Sequence, residues 1–126
     1  MPFVFSDATT PSGNPYLRIE TSGHVTLADG HAFAALIAPG APHHRGLVLS
    51  QVAKGTEYSP DVRRYFPTLN EHFAALAVVV TSPIVRAAIN LMLRFTRSGD
   101  AVLRMFTSER EALAWLESHG QARRSA

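Results

Sequence analysis

Two stretches constrain this chain more than any other: Gly46-Leu47-Val48-Leu49-Ser50-Gln51-Val52 and Leu76-Ala77-Val78-Val79-Val80. Each is a nearly unbroken apolar run of strand length, the pattern of a strand covered on both faces. Each is followed by a Ser-Pro pair, Ser59-Pro60 and Ser82-Pro83. Serine at the N-cap with proline at the first helical position starts a helix. Buried strands alternating with helices make a mostly parallel sheet with right-handed crossovers.

The rest of the chain extends that unit in both directions. Phe3-Val4-Phe5 and Tyr16-Leu17-Arg18-Ile19-Glu20 read as an antiparallel edge pair, joined by the turn material Thr9 to Pro15. Thr26 with Asp29 three residues on opens a helix that stops before Pro39-Gly40. Val62, Phe66, Leu69 and Phe73 form one helical face after Ser59. Pro67 interrupts it, and the stripe continues in phase, so a kink is expected there. A helix from Pro83 to about Phe95, a strand over Ala101–Phe106 and a capping box at Ser108-Glu109-Arg110-Glu111 complete the order β-β-α-β-α-β-α-β-α. The fold class is therefore α/β: a single domain with a mostly parallel mixed sheet of about five strands and helices packed on it. Residues 1–119 form the domain, and 120–126 read as a polar, frayed tail.

Composition narrows the function. At 126 residues the chain is one domain's worth, and 46% apolar against 17% charged residues excludes a disordered chain. Without cysteine there is no disulfide framework, thiol nucleophile or iron–sulfur cluster. Twelve Lys and Arg against ten Asp and Glu leave a net charge of +2, too small for nucleic-acid binding, and the arginines are scattered. No apolar run is long enough to span a membrane. The first residues lack a charged start and a long apolar segment, so no export signal is visible and a bacterial-type cytoplasm is expected.

No catalytic signature is present: GxGxxG, GxxxxGK[ST], GxSxG and HExxH are all missing. Lys54-Gly55-Thr56 lacks the upstream glycine of a phosphate loop. No enzyme activity, cofactor or metal is expected. His43-His44 are the only adjacent pair among six histidines and lack a third ligand.

Two candidate sites remain. In a parallel sheet, loops at the carboxyl ends of the strands meet ligands, and helix starts there present unpaired N–H groups. Ser59, Asp61, Arg63, Arg64 and Ser82 form a candidate phosphate, anion or partner site; N-capping and a solvated helix face account for the same residues. The second site is the helix from Pro83. Its polar residues Arg86, Asn90, Arg94 and then Arg97 fall on one narrow stripe, and Ile84, Val85, Ala87, Ala88, Ile89, Leu91, Met92, Leu93 and Phe95 are apolar. A surface helix needs only about 100° of apolar arc. The surplus serves packing against neighbouring helices, a homodimer or other protein face, an apolar small molecule, or peripheral membrane contact. Tyr65, Phe66, Ile89, Met92, Leu93 and Phe95 are the candidate wall of such a face.

Three stretches carry a resemblance to a known family: Gly23-His24-Val25-Thr26-Leu27-Ala28-Asp29, Ala77-Val78-Val79-Val80-Thr81-Ser82-Pro83, and Phe106-Thr107-Ser108-Glu109-Arg110-Glu111-Ala112-Leu113-Ala114-Trp115-Leu116. With the element order, they resemble the SpoIIAA-like branch of the STAS superfamily, the anti-sigma-factor-antagonist-like domains. The resemblance covers residues 1 to about 118. It implies a regulatory or scaffolding module without intrinsic enzyme activity. In partner-switching members a serine at the start of the second helix is phosphorylated, which corresponds here to Ser59. The usual Asp-x-Ser motif after the central strand is missing at Leu49-Ser50-Gln51. The branch also resembles the CRAL-TRIO lipid-carrier fold, which implies the alternative of a carrier or sensor of an apolar small molecule or lipid.

Overall fold

The structure, a computed structural model, describes the backbone of residues 2–93 and 103–125 and the side chains of 2–91 and 103–120. Five strands form one sheet: β1 (Phe3–Thr9), β2 (Pro15–Thr21), β4 (Leu47–Val52), β6 (Ala75–Val80) and β7 (Leu103–Phe106). They lie in the order β1-β2-β4-β6-β7; β1 is antiparallel to β2 and the rest are parallel. The helices are α1 (Leu27–Ile37), α2 (Pro60–Tyr65), α3 (Pro83–Leu93) and α4 (Glu109–Ser125). The expected single α/β domain with a mixed, mostly parallel sheet is therefore what forms.

Side-chain alternation along the strands divides the core in two. Leu17 and Ile19 of β2 and Val48 of β4 pack with Phe33 and Ile37 of α1 and Val62 of α2. On the same face, Val52, Val78 and Val80 pack with Val85 and Ile89 of α3 as a separate cluster. The alternate residues, Leu47, Leu49, Ala77 and Val79, meet Ala112 and Leu116 of α4 on the opposite face. Strand order from β2 to β7 follows chain order, so right-handed crossovers put α1, α2 and α3 on one side. Among the described residues the strand order never reverses across the sheet, so they form no switch-point crevice of the kind that holds ligands in doubly wound sheets.

Local signals set most element ends. Thr26 and Asp29 form the capping box of α1, and Ser59 caps α2 with Pro60 at its first position. Gly30 lets α1 approach α2, since a Cβ there would lie 2.9 Å from the Val62 side chain.

One expectation is corrected. Pro67 does not kink one continuous helix. It ends α2 at Tyr65, and Phe66–His72 continues as a seven-residue 3-10 helix. Proline has no N–H to return to the Arg63 carbonyl, so the α-helical ladder stops there. Helix α4 runs on to Ser125. Gly120 is buried, and a Cβ there would lie 2.6 Å from the Asn14 side chain. The sequence reading also passed over β3 (His24–Val25) and β5 (Glu57–Tyr58), a two-residue parallel pair.

Polar contacts tie α4 down at two points. Arg18 of β2 bonds Glu109 at 2.9 Å. Farther along, the Ser12 hydroxyl donates to Glu117 at 2.6 Å and the Asn14 amide donates at 3.0 Å. Four residues of chain along β2 and eight of helix each cover about 12–13 Å, so the two clamps share one spacing. The hydroxyl of Ser12, with those of Thr10 and Asn14's amide, holds the Glu117 carboxyl at about 2, below its ordinary 4.5. A carboxylate with a depressed folded-state pKa stabilises above its unfolded value and stops doing so as pH falls through the folded value. The melting-temperature gap between wild type and Glu117→Gln is therefore expected to be constant above about pH 5.5 and to close between pH 4.5 and 2. A gap independent of pH would contradict the clamp.

Candidate functional site

Ser59 follows β5 and begins α2. Its hydroxyl contacts the Asp61 carboxylate and accepts, at 3.4 Å, from the Val62 N–H. The Asp61 carboxylate accepts from the same N–H at 3.0 Å. The Ser59 bond, with help from Arg64, holds the Asp61 carboxyl below its ordinary range. The first turn of α2 is thus already filled by this chain's own carboxylate. A phosphoryl group on Ser59 would meet that negative charge, which works against the expected anion site. Arg63 and Arg64 lie in the last turn of α2. The Arg63 Nε is buried without a hydrogen-bond partner among the described residues. Ser82 caps α3 instead, accepting from the Val85 N–H at 3.4 Å. The five residues therefore belong to two helices, α2 and α3, and among the described residues no hydrogen bond joins them across the gap.

Helix α3 is two-faced, in a way that the sequence left open. Val85 and Ile89, one turn apart, are 3% and 4% exposed and pack on β4 and β6. Ile84 is 84% exposed and Leu91 49%, with exposed Ala87 between them. Spacings of three and four put these three on one outward stripe. The apolar surplus of this helix is thus solvent-facing within the described residues. The side chains of Met92 and Leu93, and all of Phe95, Arg94 and Arg97, lie outside the described residues.

Beneath α3 and the 3-10 helix lies an apolar cavity of about 80 Å³. It separates the two clusters on this face of the sheet. Ile89 of α3, Phe66 and Pro67 of the 3-10 helix, and Val78 and Leu103 of the sheet line it. Its polar groups are few: Ser50, whose hydroxyl lies 3.1 Å from that of Thr21, Asn70 and Tyr58. Burial pushes the Tyr58 hydroxyl well above the ordinary tyrosine range. Of the expected wall residues, Phe66 and Ile89 reach the cavity. Tyr65 does not line it; its ring stacks edge-on against His31 at 5.0 Å. Tyr58 and Asn70 were missed, because a two-residue strand and a 3-10 turn leave no periodic pattern to read.

The sequence matches the family described as Domain of unknown function (DUF7793) over residues 41–120. The chain belongs to that family. The matched span runs from the loop before β4 through the buried Gly120, and includes the cavity's α3 and 3-10 walls. None of the curated proteins matches the chain. Among solved structures, it is similar to an uncharacterized DUF3478-family protein with a SpoIIAA-like fold from Shewanella loihica PV-4. That similarity has a TM-score of 0.62 at 17% identity and covers 90% of this chain and 93% of the other. At that identity the likeness concerns fold: the chain has a SpoIIAA-like fold, as the three sequence stretches implied. Among the described residues, no helix is long and apolar enough to cross a membrane.

Proposed function

We propose that this chain is a non-enzymatic, regulatory or scaffolding binding module that acts in a bacterial cytoplasm and uses the outer stripe of α3 as its contact surface. The observation that carries this reading is the exposure of Ile84 and Leu91 on a helix whose other face is core. Exposed apolar stripes of this kind mark interaction sites. Binding rather than chemistry is favoured because no hydroxyl is hydrogen-bonded to a histidine among the described residues. The nearest His–carboxylate contact, His43 to Asp7 at 2.7 Å, lies at β1 without a nucleophile in the bond. The test is Leu91→Glu. Native mass spectrometry of the purified protein, and of complexes captured on it, is expected to give a discrete dimer or heteromer with wild type and none with the variant. The melting temperature of the variant stays within about 2 °C, as for a surface change. An identical set of complexes from both proteins would sink the reading.

The cavity supports a second reading, a carrier or sensor of an apolar small molecule. A site for a drug-sized ligand has roughly 300 Å³ or more. At about 80 Å³ this cavity suits a molecule of a few heavy atoms rather than a lipid. A co-purifying mass present under native conditions and lost on denaturation would favour this second reading.

A further inference from the structure

The cavity lies where the sequence interrupts a buried strand. Ser50 stands in β4 between Val48 and Val52, on the face that carries α1 and α3. In register it is paired with Ile19 of β2 and Val78 of β6. Its side chain is smaller than the valines two residues away on either side, and the void opens beside it, with Ile19 and Val78 in its wall. Two polar side chains line this space without a partner. Among the described residues, neither the Tyr58 hydroxyl nor the Asn70 amide makes a hydrogen bond. Tyr58 is held by its pairing with Val25, and its ring packs edge-on against Phe66 at 6.1 Å. Burial raises its pKa, so the hydroxyl stays protonated and able to donate across the physiological range.

We infer that this cavity is a site for a small uncharged molecule with an apolar body and one hydrogen-bonding oxygen, which pairs with the Tyr58 hydroxyl. It deepens the second reading above, on which it rests: the ligand class is the short ketones, aldehydes and alcohols, rather than lipids or hydrocarbons. A polar group left unpaired beside apolar space costs free energy until something pairs with it. The described lining holds no lysine, arginine, histidine, aspartate or glutamate. A charged occupant would leave water without gaining a countercharge, which selects a neutral one. Volume sets the size. The 80 Å³ here is roughly half that of an apolar cavity that holds benzene, which leaves room for about three to five heavy atoms.

Acetone, acetate and xenon, titrated into the methyl-labelled full chain and followed by methyl chemical shifts, test this. Acetone and acetate match in heavy atoms and differ in charge; xenon is apolar throughout. Acetone is expected to give saturable shifts at the methyls of Ile19, Val78 and Ile89, and acetate none there. Tyr58→Phe, which removes one hydroxyl, is expected to weaken acetone about fivefold and to leave xenon within about twofold. Ser50→Val, which adds volume to the wall, is expected to weaken both. The methyl spectrum itself reports whether each variant is folded, and the acetone–acetate contrast needs no variant. If Tyr58→Phe leaves acetone unchanged or weakens xenon equally, or if xenon binds and acetone does not, the polar assignment falls and an apolar small-molecule site stands. Acetate binding as well as acetone would overturn the neutral class. Shifts unchanged in Ser50→Val, or no saturable shift at these methyls from any probe, would overturn the site and the second reading with it.

Discussion

Ile89→Glu is expected to unfold this domain, while Ile84→Glu, five residues earlier on the same helix, leaves its stability within about 0.5 kcal/mol. Ile89 is 4% exposed and packs with Val52, Val78, Val80 and Val85. None of these neighbours offers a hydrogen bond, and the pocket that Ile89 lines offers only the neutral groups of Ser50, Tyr58 and Asn70 and no countercharge among its described lining. Burying an ionised carboxylate there without a partner costs several kcal/mol, against a total stability of about 5–15 kcal/mol for a domain. Ile84 is 84% exposed, so glutamate at that position keeps its water. Urea denaturation of the two variants measures the contrast directly. Equal losses would mean that α3 sits in a different rotation on the sheet, and the outward stripe would go with it.

Leu116→Ala is expected to destabilise the protein by about 3–4 kcal/mol, toward the upper end of large-to-small core changes. Leu116 is fully buried between α4 and the sheet. Its neighbours there include Ala75, Ala77 and Ala112. Small residues bring α4 close to the strands but cannot lean over to fill a vacated volume, so the cavity remains open. Among the described residues, no other helix covers this face. The loss should appear as a lower denaturation midpoint with an unchanged slope, because the native state stays compact. A cost under about 1 kcal/mol would mean that α4 contributes little to holding the domain together.

Much of this fold was legible because strong local signals agreed with the tertiary structure. The capping box at Thr26 and Asp29, the Ser59-Pro60 start and the apolar runs of β4 and β6 each placed an element to within a residue or two. Pro67 was read correctly as an interruption but not as a change to 3-10 geometry. An apolar stripe in phase on both sides looks the same for a kinked α-helix and for two helices of different pitch. Gly120 lies within α4, where it makes room for Asn14. The site was less legible than the fold. Composition identified α3 as over-apolar, but a core residue and an exposed one are the same isoleucine in sequence. The burial of Ile89 and the exposure of Ile84 follow only from how the helix is rotated on β6. The cavity was beyond reach, since Ile19, Tyr58, Asn70 and Leu103 come together from four separate elements.

The single helix on the second face has a consequence for how the chain is made. During synthesis β2, β4, β6 and β7 emerge in the order in which they lie in the sheet, each with its crossover helix between, so one side can be covered as it grows. The other side, with Leu47, Leu49 and Val79, has no cover until α4 leaves the ribosome. When α4 arrives, Glu117 reaches the turn at Ser12, 105 residues back along the chain. A sheet assembled from β2 to β7 before α4 docks therefore has one bare apolar face, and the docking of α4 closes it.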